Sequence, residues 1–216
     1  MDDRRPLGSR FQDTCRQTRS GGGLPESEEG EEGGIPPGIT HDLVLKFDLP
    51  ARRMEREERL LAFNGGDVNA TLVCISVEGG GKDARFLLAH GADANYEVKR
   101  DLTLGMAFCV VSCAAFSGHL SVVEALLDAG AGDLGVALCT AAQQGNTAII
   151  ALLLDRGADV HFKSDAPLGF AAREGHLETA TLLLLRGATA TNRILAIAVE
   201  KGHHAIADLL RAHGAV

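Results

Sequence analysis

A glycine, a leucine eight residues later and a second glycine four beyond that recur five times in this chain. They are Gly79/Leu87/Gly91, Gly118/Leu126/Gly130, Gly145/Leu153/Gly157, Gly175/Leu183/Gly187 and Gly202/Leu210/Gly214. Self-similarity of this kind constrains the fold more than any other feature, because it means one small unit built several times and stacked. Four residues before each first glycine stands Ile75, Ala114, Ala141, Ala171 or Ala198, and seven before stands Leu72, Val111, Leu138, Leu168 or Leu195. Apolar residues three and four apart lie on one face of a helix. Each unit therefore reads as a short helix whose small residues admit a close neighbour, a glycine turn, and a second helix carrying the leucine. The second glycine ends that helix at its C-cap, and in the fourth unit Arg186 adds a cation to the last turn. Two short helices cannot bury their apolar faces alone, so the units must stack.

Composition agrees with an all-α stack. Of 216 residues 45% are apolar, yet aromatics are only 4%, with no Trp and a single Tyr. That disfavours an aromatic-filled sandwich or barrel and a base-stacking surface. Lys and Arg number 21 against 29 Asp and Glu, a net charge of -8. Binding to a phosphate backbone needs concentrated positive charge, so no nucleic-acid partner is expected. Cys15, Cys74, Cys109, Cys113 and Cys139 are an odd set, and no charged-then-apolar leader begins at Met1. A reducing cytoplasmic or nuclear compartment is the expectation. Leu102 to Val123 and Leu134 to Leu154 are uncharged and long enough to span a bilayer. Both are interrupted, at Ser117-Gly118-His119 and Gln143-Gln144-Gly145-Asn146, where the repeat places its turns. No membrane span is expected.

Three regions follow. Residues 1–41, with five Arg in the first twenty and then the run Glu26-Ser27-Glu28-Glu29-Gly30-Glu31-Glu32, cannot bury enough apolar area to offset ordering and read as a disordered Gly/Glu-rich tail. Residues 42–66 read as an extended segment, with Leu43, Leu45, Phe47 and Leu49 alternating, followed by a charged capping helix from Pro50 to a left-handed stop at Asn64-Gly65. Residues 67–216 read as the repeat domain, of about five units.

These units resemble ankyrin repeats. The likeness rests on Asp165-Ala166-Pro167-Leu168-Gly169-Phe170-Ala171-Ala172-Arg173-Glu174-Gly175-His176 for a first helix. For a second helix and its exit it rests on Leu152-Leu153-Leu154-Asp155-Arg156-Gly157-Ala158-Asp159-Val160, and on Leu87-Leu88-Ala89-His90-Gly91-Ala92-Asp93-Ala94-Asn95. It extends over about Arg53 to Val216. The resemblance implies an all-α ankyrin-repeat solenoid of stacked helix-turn-helix units with reduced β-fingers. There are departures. The family's Thr-Pro-Leu-His start survives only as Ala166-Pro167-Leu168-Gly169, and its His position holds Ser112, Cys139, Gly169 and Ala196. Exit glycines are 26, 39, 27, 30 and 27 residues apart from Gly65 onward, against a family period of about 33. The short units have lost finger, and the 39-residue unit has gained one at about Ala94 to Thr103.

Chemistry has few openings. Gly79-Gly80-Gly81-Lys82 is a poor phosphate loop, since Ser76 stands where the leading glycine belongs and Asp83 where Ser or Thr must hold magnesium. Cys109, Cys113 and His119 make at most half a zinc site, and Cys113 and Cys139 occupy core positions. His119, His176, His203 and His204 follow a turn glycine or sit just beyond it and are expected to be structural. Neither a catalytic group, a metal nor a cofactor is expected. Asn69 and Asn95 match the exit-turn Asn that is hydroxylated in some ankyrin-repeat proteins, and read equally as turn residues tolerating the left-handed region.

The function implied by the resemblance is non-catalytic protein binding by a monomer: a scaffold, adaptor or inhibitor that uses a concave face and fingers. The expected contact residues are Tyr96, Glu97, Lys99 and Arg100 on the long finger, Phe162 and Lys163 at the exit of the 30-residue unit, and Gln143, Gln144, Arg173 and Glu174 at open helix ends. A substrate-recognition subunit in ubiquitin ligation is the alternative, and a thiol or metal enzyme a remote one.

Overall fold

The computed structural model describes residues 49–101 and 106–216, with side chains from Arg56 to Val98 and from Cys109 onward. The tail 1–41 and the alternating segment from Asp42 lie outside the described residues, except that Leu49 opens a helix instead of ending an extended run.

Helix α1 (Leu49–Ala62) runs into a short 3-10 turn (Phe63–Gly66) in which Asn64 (φ 53°) and Gly65 (φ 70°) take the left-handed conformation. Five helix pairs follow: α2 (Val68–Glu78) with α3 (Gly81–Ala89), α4 (Val110–Ser117) with α5 (Leu120–Asp128), α6 (Leu134–Gln144) with α7 (Thr147–Asp155), α8 (Phe162–Glu174) with α9 (Leu177–Leu185), and α10 (Asn192–Glu200) with α11 (His204–Ala212). First helices α2, α4, α6, α8 and α10 pack in one row, and second helices α3, α5, α7, α9 and α11 in another. A two-stranded antiparallel hairpin, β1 (Glu97–Asp101) and β2 (Met106–Cys109), stands between α3 and α4.

The repeat accounts for this packing. All five leucines of the Gly/Leu/Gly pattern are fully buried, and so are Ile75, Ala114, Ala141, Ala171 and Ala198 from the first helices. Each second helix ends the same way, one residue earlier than the pattern suggests. The glycine lies just past the cap, and the alanine after it returns its N–H to the carbonyl of the buried leucine. The five bonds are Ala92 to Leu87, Ala131 to Leu126, Ala158 to Leu153, Ala188 to Leu183 and Ala215 to Leu210, at 2.9–3.1 Å. This closure is a Schellman motif, which needs a left-handed residue at the glycine and satisfies carbonyls the helix leaves open. The leucine thus anchors the core with its side chain and the exit turn with its carbonyl, which is why leucine and glycine keep a spacing of four.

Helix α1 caps the first pair. Leu60 joins the core, while Arg56 reaches Asp83 on α3 at 2.7 Å. The two apolar stretches of membrane length are each cut into separate elements, and no single helix among the described residues is long and apolar enough to cross a membrane.

Candidate functional site

Two ladders of side chains join neighbouring units, the first at every junction between the five helix pairs and the second at four of the exits. In the first, the residue after a turn glycine reaches back one unit. The ring Nε2–H groups of His119, His176 and His203 donate to the carbonyls of Val77, Gln143 and Arg173 at 3.0–3.1 Å, and the Asn146 amide does the same to Ala115 at 2.9 Å. Each also lies on the preceding turn: a Cβ added to Gly79, Gly118, Gly145 or Gly175 would stand 2.6–3.3 Å from the nearest atom of His119, Asn146, His176 or His203. The histidines therefore join units as well as making turns. His204 is not among them; it is exposed at the first position of α11.

The second ladder runs along the exits. Side-chain Oδ1 atoms of Asn69, Asn95, Asp165 and Asn192 accept the backbone N–H of Asp93, Gly132, Thr189 and Val216, one unit on, at 2.7–3.0 Å. Asn69 sits in the first turn of α2, and neither Asn69 nor Asn95 has a positive φ. The expectation of left-handed turn residues is thus corrected: both use the side chain to bridge units.

The hairpin is the long finger, and it is larger than the Ala94–Thr103 expected. Its strands pair Arg100 with Ala107 and Asp101 with Met106, so β2 is part of it as well. Tyr96 is half-buried at its foot and packs against the core, so it supports the finger rather than capping its tip. Glu97 is exposed. Lys99 and Arg100 lie on β1, and their side chains are outside the described residues.

At the 30-residue unit α8 is kinked near its start, where the backbone passes through three successive left-handed residues that are not glycine, Lys163 (φ 47°), Ser164 (φ 59°) and Asp165 (φ 61°). Such residues cost roughly 1–2 kcal/mol each. Asp165 holds them: its buried carboxylate takes His161 Nδ1–H at 2.8 Å together with the Thr189 N–H at 3.0 Å. Phe162 is half-buried over Gly135, so close that a Cβ there would overlap its ring. It belongs to the packing between units more than to an open surface. Lys163 and Glu174 are exposed, and Arg173 is partly so. Lys163 and Arg173 line one cleft between α8 and α10, with Phe170, Thr191, Arg193, Ile194 and Ile197. Gln143 and Gln144 end α6, one unit away, with Gln144 exposed and the Gln143 carbonyl taken by His176. The finger and this cleft are two separate features.

The surroundings of Cys109 and Cys139 activate neither as a nucleophile. Burial raises the Cys109 thiol above its usual value, with Ser112 hydrogen bonds opposing it in part. Burial also pushes Cys139 up to about 12, with Lys163 pulling slightly back. A thiol in such surroundings stays protonated and unreactive. His119, the third member of the half zinc site, is committed to Val77, and among the described residues no three His, Cys, Asp or Glu side chains gather as metal ligands would. Gly81 of the glycine run is buried against Ser121, so it serves helix approach.

The family model for ankyrin repeats (3 copies) matches residues 111–193 and, overlapping it, 138–216. Residues 111–216 belong to the ankyrin-repeat family. The pair α2–α3 lies before the matched stretch and carries the same Gly/Leu/Gly spacing. No curated protein matches the chain. Ankyrin repeats are in general protein–protein interaction modules and typically non-catalytic.

Residue reasoning missed Phe170 and Arg193. Gly169 stood out only as a departure at the family's His position, which was the one signal that space had opened there.

Proposed function

We propose that this chain is a non-catalytic scaffold, adaptor or inhibitor that binds a protein partner along the edge running from the hairpin to the exits and open ends of the first helices. The observation that carries this is the hairpin itself. Where other connections between pairs are cut to a few residues, one unit keeps nine strand residues in β1 and β2, a finger the packing of helices does not require. Polar and charged residues along β1, with Glu97 exposed, supply the rim of such a contact. The four described cysteines, Cys74, Cys109, Cys113 and Cys139, are buried as thiols, the state that a reducing compartment maintains.

The test is affinity capture with the full chain, followed by mass spectrometry, repeated with a Lys99→Glu, Arg100→Glu variant whose melting temperature matches wild type. Loss of the captured partner supports the finger as the contact. Undiminished recovery would move the contact to the second-helix row.

A further inference from the structure

Between α8 and α10 lies an open cleft of about 180 Å³, lined by Lys163, Gly169, Phe170, Arg173, Arg193 and Ile197 among others. Two of these, Arg173 and Arg193, are arginines, in a chain whose net charge is -8, while the Lys163 ammonium lies 5.8 Å from the Phe162 ring centroid. The one carboxylate in the lining, Asp165, is buried and occupied by His161 and Thr189. Arg173 is pre-positioned, its guanidinium 4.9 Å from the Phe170 ring centroid. Its ion pair with Glu174 is solvent-exposed and worth at most about 1 kcal/mol, so it yields easily to an incoming carboxylate. Arg193 is exposed and has no ion-pair partner among the described residues. The floor is apolar, from Ala166, Gly169, Ile194 and Ile197.

Gly169 adds an independent observation. It lies inside α8 without a positive φ, and a Cβ added there would meet nothing within 4 Å. A mid-helix glycine destabilises by roughly 0.5–1 kcal/mol relative to alanine, and neither turn nor close packing calls for one here. What the glycine does is keep the cleft open. The left-handed residues Lys163 and Ser164 at its mouth are a second departure from relaxed backbone at the same place. The volume is below the roughly 300 Å³ at which small-molecule sites begin, and suits one apolar side chain with its flanking chain.

From this charge complementarity and space we infer that the α8–α10 cleft binds an acidic linear segment of a partner protein, seating one aliphatic side chain over Gly169 between carboxylates held by Arg173 and Arg193. The inference rests on the protein-binding reading above and names the partner's chemistry at a second contact, away from the finger.

The test measures fluorescence anisotropy of a fluorescein-labelled peptide of glutamates flanking one leucine, titrated with the full chain. A matching lysine peptide serves as control. Wild type should bind the acidic peptide alone, and more weakly as salt rises. Arg193→Glu should weaken binding at least about tenfold, the equivalent of about 1.4 kcal/mol. Gly169→Leu should do the same while leaving the melting temperature unchanged or raised, since it fills the cleft and improves the helix. No binding by wild type, equal affinity for the lysine peptide, or unaltered binding by both variants would overturn the inference. So would tighter binding in a full chain carrying Glu28→Gln, Glu29→Gln, Glu31→Gln and Glu32→Gln, because the occupant would then be the chain's own acidic run. Capture of a partner that depends on Lys99 and Arg100 would still uphold the finger if this peptide failed to bind.

Discussion

The imidazole of His176 donates to the carbonyl of Gln143 at 3.0 Å and lies over Gly145, whose Cβ, were there one, would stand 2.7 Å from the ring. One residue of the fourth unit thus requires a glycine in the third. The glycine is required twice, since its φ of 73° is left-handed. The repeat is in this sense a contract between neighbours as much as a local turn preference.

Replacing Gly145 by Ala should therefore destabilise by about 2–3 kcal/mol, from left-handed strain and from overlap with the ring. His176→Ala should cost about 1–2 kcal/mol through the lost hydrogen bond and packing. The double variant should be less damaged than the sum, because removing the ring removes the overlap. Urea denaturation of the three variants checks this, and strict additivity would mean that the two residues do not meet.

Leu153 and Leu210 occupy the same position in different units, and both are fully buried. Helix α7 lies between α5 and α9, whereas α11, the last helix, packs chiefly on α9 and α10. Leu153→Ala should cost about 2–5 kcal/mol. Leu210→Ala should cost less and chiefly raise amide exchange in α10 and α11, because the last unit opens partly by itself. Equal global losses would argue against a one-dimensional stack.

The helices were legible because their requirements are periodic. Leu168, Ala171 and Leu183 sit at fixed helical offsets from Gly175, and all three are buried. The stop at Asn64-Gly65 was legible because the left-handed region is open to few residues. The contacts between units were not, since Asn69 and Asp93, or His176 and Gln143, are joined by a register that exists only after stacking. The cleft was hidden for a related reason. Arg193 and Arg173 belong to different units, and nothing local in either segment marks them as neighbours. The place of Tyr96 at the foot of a hairpin, against the core, was hidden as well, because it depends on where β2 returns.

The cysteines give a pH prediction. Burial lifts Cys139 from 9.0 to about 12 and raises Cys109 as well. The unfolded chain then ionises first as pH rises, so the neutral thiols contribute stability that is whole below about pH 9 and lost between there and about 12. Chemical denaturation in steps from pH 7.5 to 10.5 should show a decline beginning near pH 9, smaller in Cys139→Ser than in wild type. Native protein at pH 8 should also resist iodoacetamide at both positions until it is unfolded, as read by peptide mass spectrometry.

The segment Lys163-Ser164-Asp165 permits a test of stored strain in both directions. Ser164 is exposed and left-handed, with φ 59°. Glycine there relieves about 1–2 kcal/mol of strain and gives back about 0.5–1 kcal/mol in the entropy of the unfolded chain. Ser164→Gly should therefore stabilise the protein by about 0.5–1 kcal/mol. Asp165→Ala should act oppositely. It removes the acceptor shared by His161 and the Thr189 N–H, leaves a backbone donor without its partner, and releases the residues that the carboxylate holds in place. A loss of about 1–3 kcal/mol is expected, with faster amide exchange at Thr189. Asp165→Asn should recover part of that loss, because Asn69, Asn95 and Asn192 perform the same bridge with an amide oxygen. If Ser164→Gly lowered stability, the three residues would not be left-handed in solution. If Asp165→Asn proved as harmful as Asp165→Ala, the negative charge rather than the bridge would be what the site requires.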